Sequence, residues 1–145
     1  MFLKRVKDLR DEACLSQTKV AEALNVSKST YARWETDENI IPLVHLNDLC
    51  NYFNVSMDYI IGFSNDNDYV ITNKVLNKKL IGKRLKDFRK DKGLTQVALA
   101  KEIHTSHSTI SGYESGKNMI LTAFAYEICK KYGISMDYLT GRIDD

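Results

Sequence analysis

Proline is nearly missing: Pro42 stands alone in 145 residues, where average usage near ~5% would supply about seven. Proline breaks helix interiors and populates turns, so this scarcity argues against a turn-rich β architecture and for long uninterrupted helices. An all-α fold is the first expectation. There is also no run of about 18 apolar residues, which argues against a membrane span. Met1-Phe2-Leu3-Lys4-Arg5 gives way at once to alternating charge, unlike a secretory leader, and the expectation is a soluble, cytoplasmic protein. Cysteine is sparse as well. Cys14, Cys50 and Cys129 lie far apart without a CxxC pair, which excludes the usual zinc and thiol-redox spacings and leaves buried, reduced thiols as the expectation for all three.

Hydrophobic residues make up 43% of the chain and charged residues 28%, an ordinary globular balance that argues against wholesale disorder. The net charge of +2 conceals an asymmetry. Residues 1–72 hold 7 Lys or Arg against 11 Asp or Glu, whereas residues 73–145 hold 14 against 8. An excess of cations in the second half suits an anionic partner there.

The chain matches itself when shifted by 79 positions. Lys4-Arg5 falls on Lys83-Arg84, Lys7-Asp8 on Lys86-Asp87, Arg10 on Arg89, Gln17 on Gln96 and Ala21 on Ala100. The register runs on without a gap through Ser27 and Ser106, Glu35 and Glu114, Cys50 and Cys129, to Ser56-Met57-Asp58-Tyr59 over Ser135-Met136-Asp137-Tyr138, and closes at Gly62 and Gly141. Roughly a third of the aligned positions are identical, which marks two homologous modules. Their bounds are 1–62 and 80–145, joined by residues 63–79, a partly helical linker in which Val70, Ile71, Val75 and Leu76 are apolar enough to pack.

Within each module the apolar spacing is helical. Leu46, Leu49, Cys50 and Phe53 follow i, i+3, i+4, i+7, and Ala125, Ile128, Cys129 and Tyr132 repeat the stripe. Upstream, Ser16 and Thr95 are placed as N-caps before Val20-Ala21-Leu24 and Leu99-Ala100-Ile103. Asn25 and His104, residue types enriched at positive φ, stop those helices, and Ser27 and Ser106 cap the next ones. Two short helices therefore meet across a tight turn, with Ala21 and Ala100 small enough to let them cross closely.

Leu-Ser-Gln-x3-Ala-x2-Leu-Asn-Val-Ser-x-Ser-Thr-x2-Arg-Trp-Glu from Leu15, and its counterpart from Leu94 that ends Tyr-Glu-Ser-Gly-Lys, resemble the lambda-repressor-like, Cro/XRE type of helix-turn-helix domain. The resemblance covers nearly all of each module and implies two tandem five-helix DNA-binding domains, each with its third helix in a major groove. It also implies a structural ion pair in each module, Arg10 with Glu35 and Arg89 with Glu114. Its further implication is a transcriptional regulator acting as a repressor on double-stranded DNA, without cofactor, membrane or catalysis, and compatible with a homodimer.

For DNA contact the resemblance selects Gln17 and Gln96 at the start of the second helix, where a phosphate is favoured. For base reading it selects Lys28, Ser29 and Arg33 in the first module and His107, Ser108 and Thr109 in the second, with Lys28 and Arg33 able to address guanine. The modules depart from the pattern in different places. The second keeps Ser115-Gly116-Lys117-Asn118 after the third helix, with Lys117 suited to phosphate, where the first has Thr36-Asp37-Glu38-Asn39. Conversely, Gly112 stands where the first module has Arg33. The expected division gives electrostatic affinity to the second module and base discrimination to the first. The alternative is that one module binds DNA and the other serves protein interaction or dimerisation, as in an antitoxin-like protein. His104 and His107 lack a third ligand nearby in sequence, and no nucleophile with its base can be assembled, so neither metal chemistry nor catalysis is expected.

Overall fold

A computed structural model describes residues 3–67 and 74–144. All regular structure among these residues is helical, and the chain divides into two compact units, Met1–Lys74 and Val75–Asp145. The first contains α1 (Val6–Glu12), α2 (Gln17–Ala23), α3 (Lys28–Glu35), α4 (Leu43–Phe53) and α5 (Met57–Ile60). The second contains α6 (Lys78–Asp91), α7 (Gln96–Glu102), α8 (His107–Glu114), α9 (Thr122–Tyr132) and α10 (Met136–Leu139). Five helices per unit is the number the resemblance implies. No helix among the described residues is long and apolar enough to cross a membrane.

The helix starts are written locally. Ser16, Ser27 and Ser56 each accept a backbone N–H three residues on, and Thr95, Ser106 and Ser135 repeat the arrangement in the second unit. Each such bond satisfies a donor that a helix start would leave open. The stops are equally regular. Positive φ occurs at Cys14, Asn25, Asp37, Asn54 and Gly62 in the first unit, and at Gly93, His104, Gly116, Gly133 and Gly141 in the second, the same five places once the shift of 79 is applied.

Each unit encloses its own core. In the first, Val20, Ala21, Leu24, Tyr31, Trp34, Leu46, Leu49 and Cys50 are buried, and in the second Leu99, Ala100, Ile103, Ile110, Tyr113, Ala125, Ile128 and Cys129. Phe53 and Tyr132, at the ends of the two stripes, are half-buried. A second duplicated tie involves residues that the sequence repeats without a stated role. The Arg5 guanidinium lies 4.3 Å from the centre of the Tyr59 ring and donates to the Tyr59 carbonyl, and Arg84 lies 4.5 Å from the Tyr138 ring and donates to the carbonyls of Tyr138 and Ile143. The residue that opens α1 and a residue within α6 are thereby fastened to the last helix of their units.

Two expectations need correction. Cys14 is exposed, unlike Cys50 and Cys129, because it follows the end of α1 in the turn rather than on an apolar helix face. In the linker, Val75 is 89% exposed and packs against little, while Val70 and Ile71 lie outside the described residues. The Lys74 carbonyl accepts side-chain amides from Asn47 and Asn51 of α4, both at 2.8 Å, and the Asn77 side chain caps α6.

Candidate nucleic-acid interface

In both units the second and third helices meet at a capped turn, which sets the angle between them. Ser27 Oγ accepts the Thr30 N–H, donates to the Thr30 hydroxyl at 2.8 Å and contacts the Ser29 hydroxyl at 3.3 Å. Ser106 makes the same contacts with Thr109 and Ser108. Holding the first turn this way leaves Lys28, Ser29 and Arg33 exposed on α3 and His107 and Ser108 exposed on α8, whereas Thr109 is half-buried with its hydroxyl engaged at the cap.

Beneath that face lies a charged network. Arg10 donates from Nε to Glu35 Oε2 at 2.8 Å and from Nη2 to Glu35 Oε1 at 3.1 Å, with Nη1 on the Leu15 carbonyl at 3.0 Å. Arg89 and Glu114 reproduce it at 2.7 and 2.9 Å, with Nη1 on the Leu94 carbonyl at 2.8 Å. The side chains of Arg10 and Glu35 are 11% and 5% exposed, and those of Arg89 and Glu114 10% and 4%, so the guanidinium fork meets its carboxylate largely out of water. Burial, the largest influence on Glu35, pushes its carboxyl up, but the donors around it, Arg10 foremost, outweigh that and hold it below its ordinary value. The Tyr31 phenol, buried beside this carboxylate, is held protonated well above its ordinary range, first by burial.

Gln17 and Gln96 are tied into the same network. Gln17 Nε2 donates to Glu35 Oε1 at 3.1 Å, and Gln96 Nε2 donates to Glu114 Oε1 at 3.2 Å. The structure therefore brings together, in each unit, the arginine of the first helix, the glutamine of the second and the glutamate of the third.

After the third helices the two units diverge. Asp37 takes φ 62° and Thr36 donates to Glu38 at 3.2 Å, leaving Asp37 and Glu38 exposed. Gly116 takes the matching conformation, and Lys117 is exposed beside it. Asn118 was not singled out by the sequence reading. A Cβ on Gly112 would lie 2.8 Å from its Nδ2, so the Asn118 carboxamide lies over the spot from which Arg33 projects in the first unit. Nothing in the local sequence announces this, because it depends on the loop folding back to place the Asn118 N–H on the Gly112 carbonyl. Among the described residues, no group of three or more His, Cys, Asp or Glu side chains could hold a metal ion.

A family model described as Helix-turn-helix matches residues 6–60 and again residues 85–139. The chain is similar to the uncharacterized HTH-type transcriptional regulator YobD of Bacillus subtilis (strain 168), 32% identical over 80 residues that cover 55% of this chain and 71% of YobD. It is similar also to the HTH-type transcriptional regulator ImmR of the same organism, 33% identical over 87 residues, 58% of this chain and 67% of ImmR. Antitoxin PezA of Streptococcus pneumoniae serotype 4 is 34% identical over 62 residues, 43% of this chain and 39% of PezA. No solved structure matches the chain with comparable significance.

Proposed function

The chain belongs to the helix-turn-helix family, matching its model once in each unit, and from that premise we propose that it is a DNA-binding transcriptional regulator, a repressor that occupies an operator with the third helix of each unit in a major groove. The observation that carries the reading is the paired presentation of exposed polar side chains on capped, internally braced third helices: Lys28, Ser29 and Arg33 on α3, His107 and Ser108 on α8. Gln17 and Gln96 hold backbone phosphates through their side-chain amides, and Lys117 adds a cation beside the second reader. The regulators YobD and ImmR support the assignment to transcription.

Selection of bound duplexes from a random pool by the full chain identifies the operator and tests the division of labour. Arg33→Ala relaxes preference at one or two base pairs, by about 1–3 kcal/mol. Lys117→Ala weakens all sequences alike and lowers the salt slope by about 1. A pool that yields no enriched sequence rejects the reading.

A second reading has one observation in its favour. The exposed Asp37 and Glu38 follow α3 where Gly116 and Lys117 follow α8, and carboxylates there oppose a phosphate backbone. In that case the second unit alone binds DNA and the first meets a protein partner, a role to which the similarity with an antitoxin is suited. Alanine at both Lys28 and Arg33 leaves operator affinity unchanged under this reading and lowers it under the first.

A further inference from the structure

Each glutamine amide nitrogen carries two hydrogens. One is spent on the glutamate at the end of the third helix: Gln96 on Glu114 Oε1 at 3.2 Å, Gln17 on Glu35 Oε1 at 3.1 Å. That carboxylate cannot swing, because the arginine fork grips both of its oxygens and the same guanidinium reaches the carbonyl of Leu94 or Leu15, just ahead of the second helix. The glutamine is thus held at one fixed rotation about its side-chain bonds. A planar amide with one N–H fixed has its other N–H and its oxygen fixed as well, and glutamine has much rotamer freedom to lose on binding when nothing holds it. Two copies that agree at only about a third of their positions keep the three residues and the same three contacts, although an ion pair would brace the helices without any glutamine.

We propose that Glu35 and Glu114 are positioning residues for DNA: through the hydrogen bond to Gln17 and Gln96 they aim the free N–H of each glutamine at a backbone phosphate before the duplex arrives. This rests on the functional reading above. The ion pair with arginine keeps the carboxylate from acting as a bare negative charge near the phosphate. The glutamates do not touch DNA, and their effect on affinity passes through the glutamines.

The test is a double-mutant cycle in the full chain on the selected operator. Gln96→Ala weakens binding by about tenfold in the wild-type background, and the factor falls toward one when Glu114→Leu is already present, because leucine leaves the Gln96 amide without its acceptor. General electrostatic effects of removing the carboxylate cancel in the cycle. The same factor in both backgrounds overturns the proposal and leaves Glu114 a structural residue. Gln96→Asn covers the case in which Glu114→Leu does not fold. It leaves the ion pair intact, keeps the carboxamide and falls short of Glu114 by a methylene, so it loses as much affinity as Gln96→Ala; wild-type affinity overturns the proposal. A nuclear magnetic resonance readout is independent of DNA: in the free wild-type chain one Gln96 side-chain amide proton is displaced from its value in an unrestrained glutamine by the bond to Glu114, and ordinary values for both protons would also overturn the proposal. A wild-type chain that binds no duplex rejects the functional reading itself, whereas equal Gln96→Ala factors in a chain that binds reject only the positioning role.

Discussion

Glu35 shows how one buried side chain can tie three helices together, through Arg10 of α1 and Gln17 of α2. Its folded-state proton affinity lies below the ordinary carboxyl value of 4.5, so the unfolded chain binds this proton more readily than the folded one. The stabilisation is therefore fully present above about pH 4.5 and is lost as the pH falls through the lower folded-state value. We expect Glu35→Ala to flatten this part of the acid dependence, measured by urea unfolding between pH 6 and pH 3. At neutral pH the same substitution costs about 3–5 kcal/mol, because the Arg10 guanidinium is left largely buried without its carboxylate. A stability unchanged at neutral pH would mean that Arg10 finds water instead. Asp137 and Arg142 form a further ion pair, at 3.2 Å and with both side chains fully buried, which the first unit cannot copy because Phe63 stands where Arg142 would.

At the scale of elements, the two copies end their first helices with the same bonds on different residues. After α1, the Cys14 N–H bonds to the Asp11 carbonyl and the Leu15 N–H to the Arg10 carbonyl, and after α6, Gly93 and Leu94 bond likewise to Lys90 and Arg89. This is the Schellman arrangement, which requires positive φ at the residue after the cap. Gly93 meets the requirement freely, while Cys14 adopts φ 56° with a side chain that resists it. Cys14→Gly is expected to stabilise the first unit by about 0.5–1 kcal/mol, visible as a higher denaturant midpoint with an unchanged slope; a lower midpoint would show that unfolded-chain entropy outweighs the relieved strain.

Helix crossing imposes the opposite demand in the second unit. A Cβ on Gly82 of α6 would lie 2.3 Å from the Tyr113 carbonyl oxygen and 2.8 Å from that of Glu114, so backbone meets backbone where α6 crosses α8. Gly82→Ala forces these helices apart and costs about 1–3 kcal/mol or more, checked by the same denaturation. The matched Leu3 lies ahead of α1 and is a buried side chain of the first unit.

At the scale of the whole molecule, the prediction concerns the spacing of two readers in one chain. Only Val75 and Leu76 separate Lys74, whose carbonyl is held by α4, from Asn77, which caps α6. If both third helices read DNA as proposed, we expect an operator with two unequal halves about one turn apart, ~10 base pairs, unequal because Lys28 and Arg33 are matched by His107 and Gly112. Inserting five base pairs between the halves turns one to the opposite side of the duplex and should weaken binding about 100-fold by preventing simultaneous engagement. Unchanged affinity would leave a single working reader.

Much of this protein is determined by the sequence alone, because the governing interactions are local or repeated. The shift of 79 exposes the duplication, the apolar period exposes the helices, and a hydroxyl residue three positions before a helical N–H caps it whatever the rest of the chain does. The motif around Gln17 and Arg33 was legible through its resemblance to a known domain, and that resemblance, supported by recurrence in the second copy, paired Arg10 with Glu35, twenty-five positions apart. What only the tertiary structure decides is where distant groups converge. That Gln96 turns its amide to Glu114, that Asn118 lies over Gly112, and that Gly82 is demanded by the carbonyls of another helix all depend on atoms brought together across a fold. A linear pattern carries residue types and spacings, but a hydrogen bond needs a direction and a close contact needs a distance, and both are set only when the helices have packed.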